Sequence, residues 1–188
     1  GSLSLTGKGH ATDVAIIMGL AGNSPQDVDI DAIPAFIQQV TASGRLPVAK
    51  GSRQVDFPLP ESIVFHDSAL ARHENGMRIS AWDHQQPLLS KTYYSIGGGF
   101  IVEESRFGQT HDIATPVPFD FRSAHQLLQL CEHNGLSISG LMMQNELALR
   151  DKGQIDAGFA AIYAVMRNGI ERGMNTEGVL PGPLNVPR

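Results

Sequence analysis

The apolar residues at the start of the chain predict a passage from a strand into a helix. A short apolar stretch, Leu3-Ser4-Leu5, resembles the end of a strand. Residues 12–21 are compactly apolar, with Thr12 or Asp13 at the capping position, and Gly22-Asn23 would end that helix.

A second helix is predicted between residues 24 and 44. Ser24 to Asp27 resemble a helix cap, and Gly44 is a stop signal. The apolar residues between them recur at helical spacing: Ile30, Ile33, Phe36, Ile37 and Val40. Pro34 lies within this pattern and marks either the true first turn of the helix or a kink.

The pattern changes to strands further along the chain. Residues 45–60 contain several prolines and Gly51, and they predict a loop. Strands are predicted at 63–65, 77–82, 88–94 and 100–102. Asn75-Gly76 is a hairpin-turn signal, and Ser95 to Gly99 form a glycine-rich connection before the last strand.

The second half of the chain is helical in pattern. Ala124, Leu127, Leu128 and Cys131 follow helical spacing, and Asn134-Gly135 would end that helix. Ser137 or Ser139 would cap the next helix, and Gly153 separates a third. The third helix has a broad apolar face formed by Ile155, Phe159, Ile162, Tyr163, Met166 and Ile170. Short helices do not bury such a face alone, so partner surfaces are expected.

These patterns together predict an α+β fold. A small mixed α/β domain with an antiparallel-rich sheet is expected at residues 1–106. A linker with Gly108, Pro116 and Pro118 is expected at 107–121, followed by an all-α segment at 122–188.

Composition narrows the function classes. The formal net charge of −5 does not suit a nucleic-acid-binding surface, so nucleic acid is not expected as a partner. The sequence has no apolar run near the ~20 residues that span a bilayer. Its first residues do not resemble a signal peptide. A single cysteine, Cys131, forms no internal disulfide, and a cytoplasmic protein is expected.

Residues 6–13 form the first candidate site. Gly7 and Gly9 let the backbone approach a ligand, and the start of a helix favours an anion. His10 would be usable as an acid or base near neutral pH. On this segment alone, a tight turn whose histidine packs or caps is the more common explanation.

Two further segments could bind a ligand. Gly97, Gly98 and Gly99 follow Ser95 between two strands, where the pattern alone slightly favours a glycine-rich bend or bulge. Asn145 and Glu146 lie on a helix with apolar neighbours on both sides, so one of them could point inward. On the pattern alone, a solvated helix face is the more common explanation for this pair. The histidines show no metal-ligand spacing, so no metal ligand is assigned to this chain.

Four motifs together resemble one family. They are Leu5 to Asp13, Tyr94 to Phe100, Gln144 to Glu146 and Leu180 to Gly182. In this order, and over essentially all 188 residues, they resemble the single-chain, iron–sulfur-dependent bacterial L-serine dehydratases. At Pro183 this chain departs from many members of that family, which have a second glycine there.

The resemblance implies a domain arrangement. The family has an N-terminal β domain, similar to a small-molecule-binding domain of phosphoglycerate dehydrogenases, and an all-helical catalytic domain. This chain would cover most of the β domain and the first helices of the catalytic domain. Both of its ends would then be incomplete, and the helices that carry the three cluster cysteines would lie outside it.

The resemblance also implies an activity, L-serine ammonia-lyase. In this family an iron of a [4Fe-4S] cluster acts as a Lewis acid on the serine hydroxyl, without pyridoxal phosphate. His10 would be the catalytic residue, either as the base or as a group that positions the substrate. Substrate-binding residues would be Lys8, Gly9, Ser95, Gly97, Gly98, Gly99, Asn145 and Glu146. The biological form would be a cytoplasmic homo-oligomer, a homodimer, that acts in amino-acid catabolism and gluconeogenesis.

Two alternatives remain at this point. The chain could be a non-catalytic amino-acid-binding or regulatory module, as the likeness of its β domain to a small-molecule-binding domain suggests. A pyridoxal-phosphate lyase would need a Schiff-base lysine, and Lys8 is the lysine in a suggestive loop.

Overall fold

The computed structural model describes residues 2–109, 116–180, 184, 186 and 187. The chain divides into two compact units, Gly1–Gln109 and Thr110–Arg188. Antiparallel sheets in the first unit and helices in the second confirm the α+β class. The expected linker includes residues 110–115, which lie outside the described residues, as do Pro181 and Gly182 of the fourth motif.

The first unit opens with helices. Helix α1 spans Ser2–Leu5, so the strand expected there is wrong. The alternation Leu3-Ser4-Leu5 is so short that it fits one turn of a helix as well as it fits a strand. Helix α2 spans Thr12–Leu20, as predicted, but Ala11 precedes it and no side chain caps it.

Helix α3 spans Ile33–Ser43, so it begins later than the apolar pattern suggested. Pro34 lies in its first turn, where a missing N–H costs no helical hydrogen bond. Gly44 ends the helix as predicted, with φ of 63°, and its N–H donates to the Val40 carbonyl.

A hairpin forms where a loop was expected at 45–60. Strands β1 (Arg45–Val48) and β2 (Arg53–Asp56) pair antiparallel. Ala49 and Lys50 in their turn have φ of 51° and 55°, a left-handed conformation that Asn and Gly normally supply in hairpins. Because neither residue is a turn signal, the sequence pattern did not reveal this hairpin.

The core of the first unit lies where α2, α3 and β1 meet. Its buried side chains are Ile17, Ala21, Val40 and Leu46. Ile63 packs against this cluster from a stretch of turns and irregular backbone, so the strand expected at 63–65 is wrong. Its apolar character is explained by burial and not by strand pairing.

A three-stranded antiparallel sheet completes the first unit. Its strands are β3 (Gly76–Asp83), β4 (Gln86–Gly97) and β5 (Phe100–Glu103), in the order β3-β4-β5. The strands predicted at 77–82, 88–94 and 100–102 are therefore confirmed.

The hairpin turn predicted at Asn75-Gly76 is wrong, because Gly76 begins β3. A Cβ there would lie 2.7 Å from Leu70 Cδ1 and 2.9 Å from Tyr94 Cε1, so packing explains this glycine. The turn lies at His84-Gln85 instead, and His84 has φ of 53°.

Tyr94 joins the sheet to the segment that follows it. The side chain is buried, with a residue exposure of 1%. Its hydroxyl donates to Glu104 Oε1 at 2.9 Å, and its ring meets the Phe107 ring edge-on, with centroids 5.0 Å apart. Burial raises the pKa of the Tyr94 hydroxyl, and the hydrogen bond to Glu104 adds to the rise.

The variant Tyr94→Phe should lose less stability at alkaline pH than the unaltered chain. The pKa of Tyr94 is raised in the folded state above its unfolded value near 10. Its stabilising contribution is therefore complete below pH ~10 and is lost as the pH rises through the folded pKa. Urea midpoints at pH ~9 and pH ~11 measure this. If the urea midpoint fell equally in the two proteins between these pH values, the prediction would be wrong.

The second unit contains three helices whose starts are capped. They are α4 (Ala124–Asn134), α5 (Ile138–Leu149) and α6 (Lys152–Asn175). Ser123 and Ser137 cap the first two, and Asp151 forms a capping box with Gln154 at the third. The predicted helices are confirmed, except that Gly153 lies in the first turn of α6 and does not precede it.

Helix α6 leaves a broad apolar face exposed. All 24 of its residues are described, and Ile155 alone is buried. The exposed side chains of the face are Phe159, Ile162, Tyr163, Met166 and Ile170. The unit thus leaves this face uncovered, as the pattern predicted. In the described part of the chain, every helix is too short or too polar to cross a membrane.

Candidate functional site

His10 lies on a short 3-10 helix, Lys8–His10, that leads into α2. Its N–H donates to the carbonyls of Thr6 and Gly7, both at 3.1 Å. The Thr12 N–H donates to the same Gly7 carbonyl at 2.9 Å. These hydrogen bonds hold the backbone of the turn and leave the His10 side chain exposed.

Gly7 allows the turn to be this tight. It is buried, and a Cβ on it would lie 2.1 Å from the Leu3 carbonyl oxygen and 2.6 Å from Phe65 Cε1. A Cβ on Gly9 would meet nothing within 4 Å. Packing within this chain therefore requires the first glycine and not the second.

Lys8 lies beside the same turn and is exposed. Its Nζ lies 5.6 Å from the centroid of the Phe65 ring, within the range of a cation–π contact. The neighbouring His66 carbonyl accepts a hydrogen bond from Ser4 Oγ, which ties α1 to this stretch. The turn thus presents one cationic and one imidazole side chain to solvent.

The three glycines lie at the turn between β4 and β5. Gly97, Gly98 and Gly99 have φ of 101°, 60° and 83°. Residues other than glycine adopt such angles only at a cost in free energy. Gly97 pairs with Phe100, and the strand register shifts between Ser95 and Gly97. The bend and bulge considered for this segment are therefore present. The three glycines also leave an exposed surface without side chains.

The two loops of the first unit have different neighbours. Lys8 contacts Phe65, whereas the Ser95 N–H donates to the Asn75 carbonyl at 2.9 Å. In the described part of this unit, no hydrogen bond, ion pair or ring contact joins Lys8 or His10 to Ser95 or to the three glycines.

Asn145 and Glu146 lie on α5 in the second unit. Asn145 is buried, and its side-chain amide bonds to the backbone of Phe119. Glu146 is half-buried, and its Oε2 lies 3.2 Å from Arg150 Nε, one helical turn further on. The solvated helix face that the pattern favoured is therefore wrong for Asn145, whose side chain points inward.

The described residues do not fit an iron–sulfur cluster. Clusters of this kind need several thiolate ligands, and Cys131, the single cysteine of the sequence, is buried in α4. Within residues 2–109, 116–180, 184, 186 and 187, no three His, Cys, Asp or Glu side chains gather as a metal site.

Sequence reasoning missed two features of the first unit. Lys91 Nζ lies 3.0 Å from Glu103 Oε2 across β4 and β5. The hydrogen bond from Lys91 holds the pKa of Glu103 below its usual value, and the same bond raises the pKa of Lys91. An open cavity of about 450 Å³ lies beside the β1–β2 turn, with Phe36 and Lys50 among its lining residues. Since that turn was not predicted, neither was the cavity.

Comparison with known proteins places the chain in a family. Residues 1–106 match the family described as serine dehydratase beta chain, and the chain belongs to it. L-serine dehydratase TdcG of Escherichia coli (strain K12) is 74% identical over 188 residues, which is 100% of this chain and 41% of that relative. L-serine dehydratase 1 of the same organism is 58% identical over the same 188 residues, again 41% of its length. The L-serine dehydratase of Haemophilus influenzae is 47% identical over 189 residues, 42% of its length. The chain thus spans about two fifths of the length of these relatives.

Proposed function

We propose that this chain is part of an L-serine ammonia-lyase that deaminates L-serine to pyruvate and ammonia. The observation that carries the proposal is the ordered turn that exposes His10 in a chain of the serine dehydratase beta chain family. Relatives named L-serine dehydratase match the chain along its whole length, which supports L-serine as the substrate.

His10 is the proposed base of this reaction. The α-proton of serine is weakly acidic, so its removal needs a base held near Cα, and an imidazole nitrogen can accept a proton. The proton passes from Cα to the imidazole, and the electron pair forms the Cα–Cβ double bond as the Cβ–O bond breaks. The departing hydroxide takes up a proton and leaves as water. The resulting aminoacrylate becomes an imine and reacts with water to give pyruvate and ammonia.

Most of the other candidate residues are proposed to bind the substrate. The Lys8 ammonium suits the serine carboxylate, and the Glu146 carboxylate suits the serine ammonium. Gly9 leaves open space beside the base. Ser95 offers a hydroxyl, and Gly97, Gly98 and Gly99 offer backbone without side chains.

We also propose that the whole protein uses a [4Fe-4S] cluster and no pyridoxal phosphate. The support is the resemblance of the four motifs, and the ligands would lie outside this chain, in a further helical domain. The part proposed for these residues is therefore substrate binding and proton transfer. The whole protein is proposed to be a cytoplasmic homo-oligomer, and the exposed apolar face of α6 supports a partner surface there.

A complete serine dehydratase that contains these 188 residues should convert L-serine to pyruvate and ammonia in equal amounts. Its cluster would be reconstituted without oxygen, and D-serine serves as the matched control. Pyruvate and ammonia are measured together, because β-elimination produces both. A protein with full cluster absorbance but no pyruvate would contradict the proposal.

A second candidate function is a non-catalytic amino-acid-binding module. It is favoured by the cavity of about 450 Å³, which has Lys50 and Asp29 among its lining residues. Their opposite charges match those of an amino acid. Saturable binding of L-serine by calorimetry, without turnover by the complete protein, would favour this function over the lyase.

A further inference from the structure

The side chain of Asn145 is paired with a single peptide segment. Its Oδ1 accepts a hydrogen bond from the Phe119 N–H at 2.9 Å, and its Nδ2 donates to the Phe119 carbonyl at 2.8 Å. The residue is 8% exposed, on the same face of α5 as Leu141, which is fully buried. The Asn145 amide therefore pairs with both backbone groups of Phe119, as a neighbouring β-strand would.

The segment around Phe119 has few other backbone donors. Pro116 and Pro118 carry no N–H, so the Phe119 N–H is one of two donors among residues 116–119. Phe119 is half-buried, and Asn145 supplies its N–H with an acceptor. Asn is suited to this position because it both donates and accepts, whereas Asp only accepts.

The same segment is held again where it enters α4. The Arg122 N–H donates to Gln126 Oε1 at 3.0 Å, and the Gln126 N–H donates to Ser123 Oγ at 3.2 Å. The backbone at 119 and at 122 is therefore held by side chains of two different helices. The two hydrogen bonds to Phe119 use one N–H and one lone pair of the buried Asn145 amide, so one N–H and one lone pair remain.

We infer that Asn145 is a positioning residue, which holds segment 116–121 against α5, and not a direct ligand of the substrate. Glu146, whose carboxylate lies 3.2 Å from Arg150 Nε, is then the member of the pair on α5 that is proposed to bind the substrate. The catalytic part of this inference rests on the proposed lyase function, whereas the contact with Phe119 does not.

The variant Asn145→Ala in the complete enzyme tests the contact by amide hydrogen exchange. Exchange at residues 117–121 should rise about tenfold or more, since the Phe119 N–H loses its acceptor. Asn145→Asp keeps the acceptor and should retain most of the protection, so it replaces the alanine variant if that variant does not fold. Asn134→Ala is the matched control, because Asn134 Nδ2 donates to Leu130 of its own helix at 2.8 Å. It should leave exchange at 117–121 unchanged.

Kinetics of the same variants separate the possible roles. Asn145→Ala should lower kcat by about 10- to 100-fold with KM changed less than about threefold, and Asn145→Asp should recover part of kcat. A KM raised tenfold with unchanged exchange would make Asn145 a substrate ligand and overturn the inference. Raised exchange with unchanged kcat and KM would overturn it in favour of a purely structural role. Failure of the lyase proposal is distinct, because the unaltered enzyme would then show no serine turnover.

Discussion

The complete enzyme with His10→Ala should lose serine turnover by two orders of magnitude or more, in keeping with the ~10²–10⁴-fold contribution of a positioned base. The turn that carries His10 is held by backbone hydrogen bonds to Thr6 and Gly7. Removing the exposed imidazole should therefore leave the turn in place. Pyruvate formation measures the loss, and cluster absorbance should remain at the level of the unaltered enzyme.

His125→Ala is the matched control for this experiment. His125 is exposed on α4 and is not part of the proposed site. Its removal should leave kcat within about twofold, as expected for a surface substitution. Near-normal turnover in His10→Ala would refute the role of His10 as the base while leaving the family membership intact.

The variant Gly7→Ala should destabilise the first unit by roughly 1–3 kcal/mol, the usual cost of forcing extra volume into a packed site. Its Cβ would lie 2.1 Å from a backbone oxygen of Leu3, which no side-chain rotation relieves. Urea unfolding measures the loss. Turnover of the complete enzyme should fall as well, because the turn that carries His10 must shift.

Gly9→Ala is the control for the stability measurement. Because a Cβ there meets nothing within 4 Å, its unfolding free energy should stay within about 0.5 kcal/mol of the unaltered chain. If Gly9→Ala destabilised the unit as much as Gly7→Ala, the close approach at Gly7 could not be the cause. A loss of turnover in Gly9→Ala at unchanged stability would indicate that a substrate occupies this space.

Much of the helical part of the fold could be predicted from the sequence. Helices α2, α4 and α5 could be predicted from helical spacing and from glycines that end helices. Both signals, such as the helix end at Gly135, depend only on nearby residues. The β1–β2 hairpin was missed because Ala49 and Lys50 take left-handed conformations that the rest of the fold imposes. Asn75-Gly76 was wrongly predicted to be a hairpin turn. Glycine is required at position 76 because the Tyr94 ring, 18 positions further along the chain, leaves no room for a Cβ.

The candidate site was predicted less fully. The nearby glycines correctly predicted a turn at His10, but a helix precedes it and not the expected strand. The role of His10 came from the family resemblance. The apolar neighbours of Asn145 on α5 raised an inward orientation, but the pattern alone favoured a solvated helix face. Its partner, Phe119, lies 26 positions earlier and could not be inferred, because helical periodicity indicates a face and not what that face meets.

Helix α6 has a thermodynamic consequence for any experiment on this chain. Ile155 is its one buried side chain, so tertiary packing contributes little to its stability. Its helicity therefore depends, as in a peptide in water, on intrinsic helix propensity against the cost of ordering the backbone. Its sequence includes four glycines, each of which costs up to about 1 kcal/mol relative to alanine within a helix. The ion pairs Lys152–Asp156 and Arg167–Glu171 offset little of this and weaken as salt is added. The far-ultraviolet circular dichroism of this chain should therefore lose signal gradually on warming, before the first unit unfolds cooperatively.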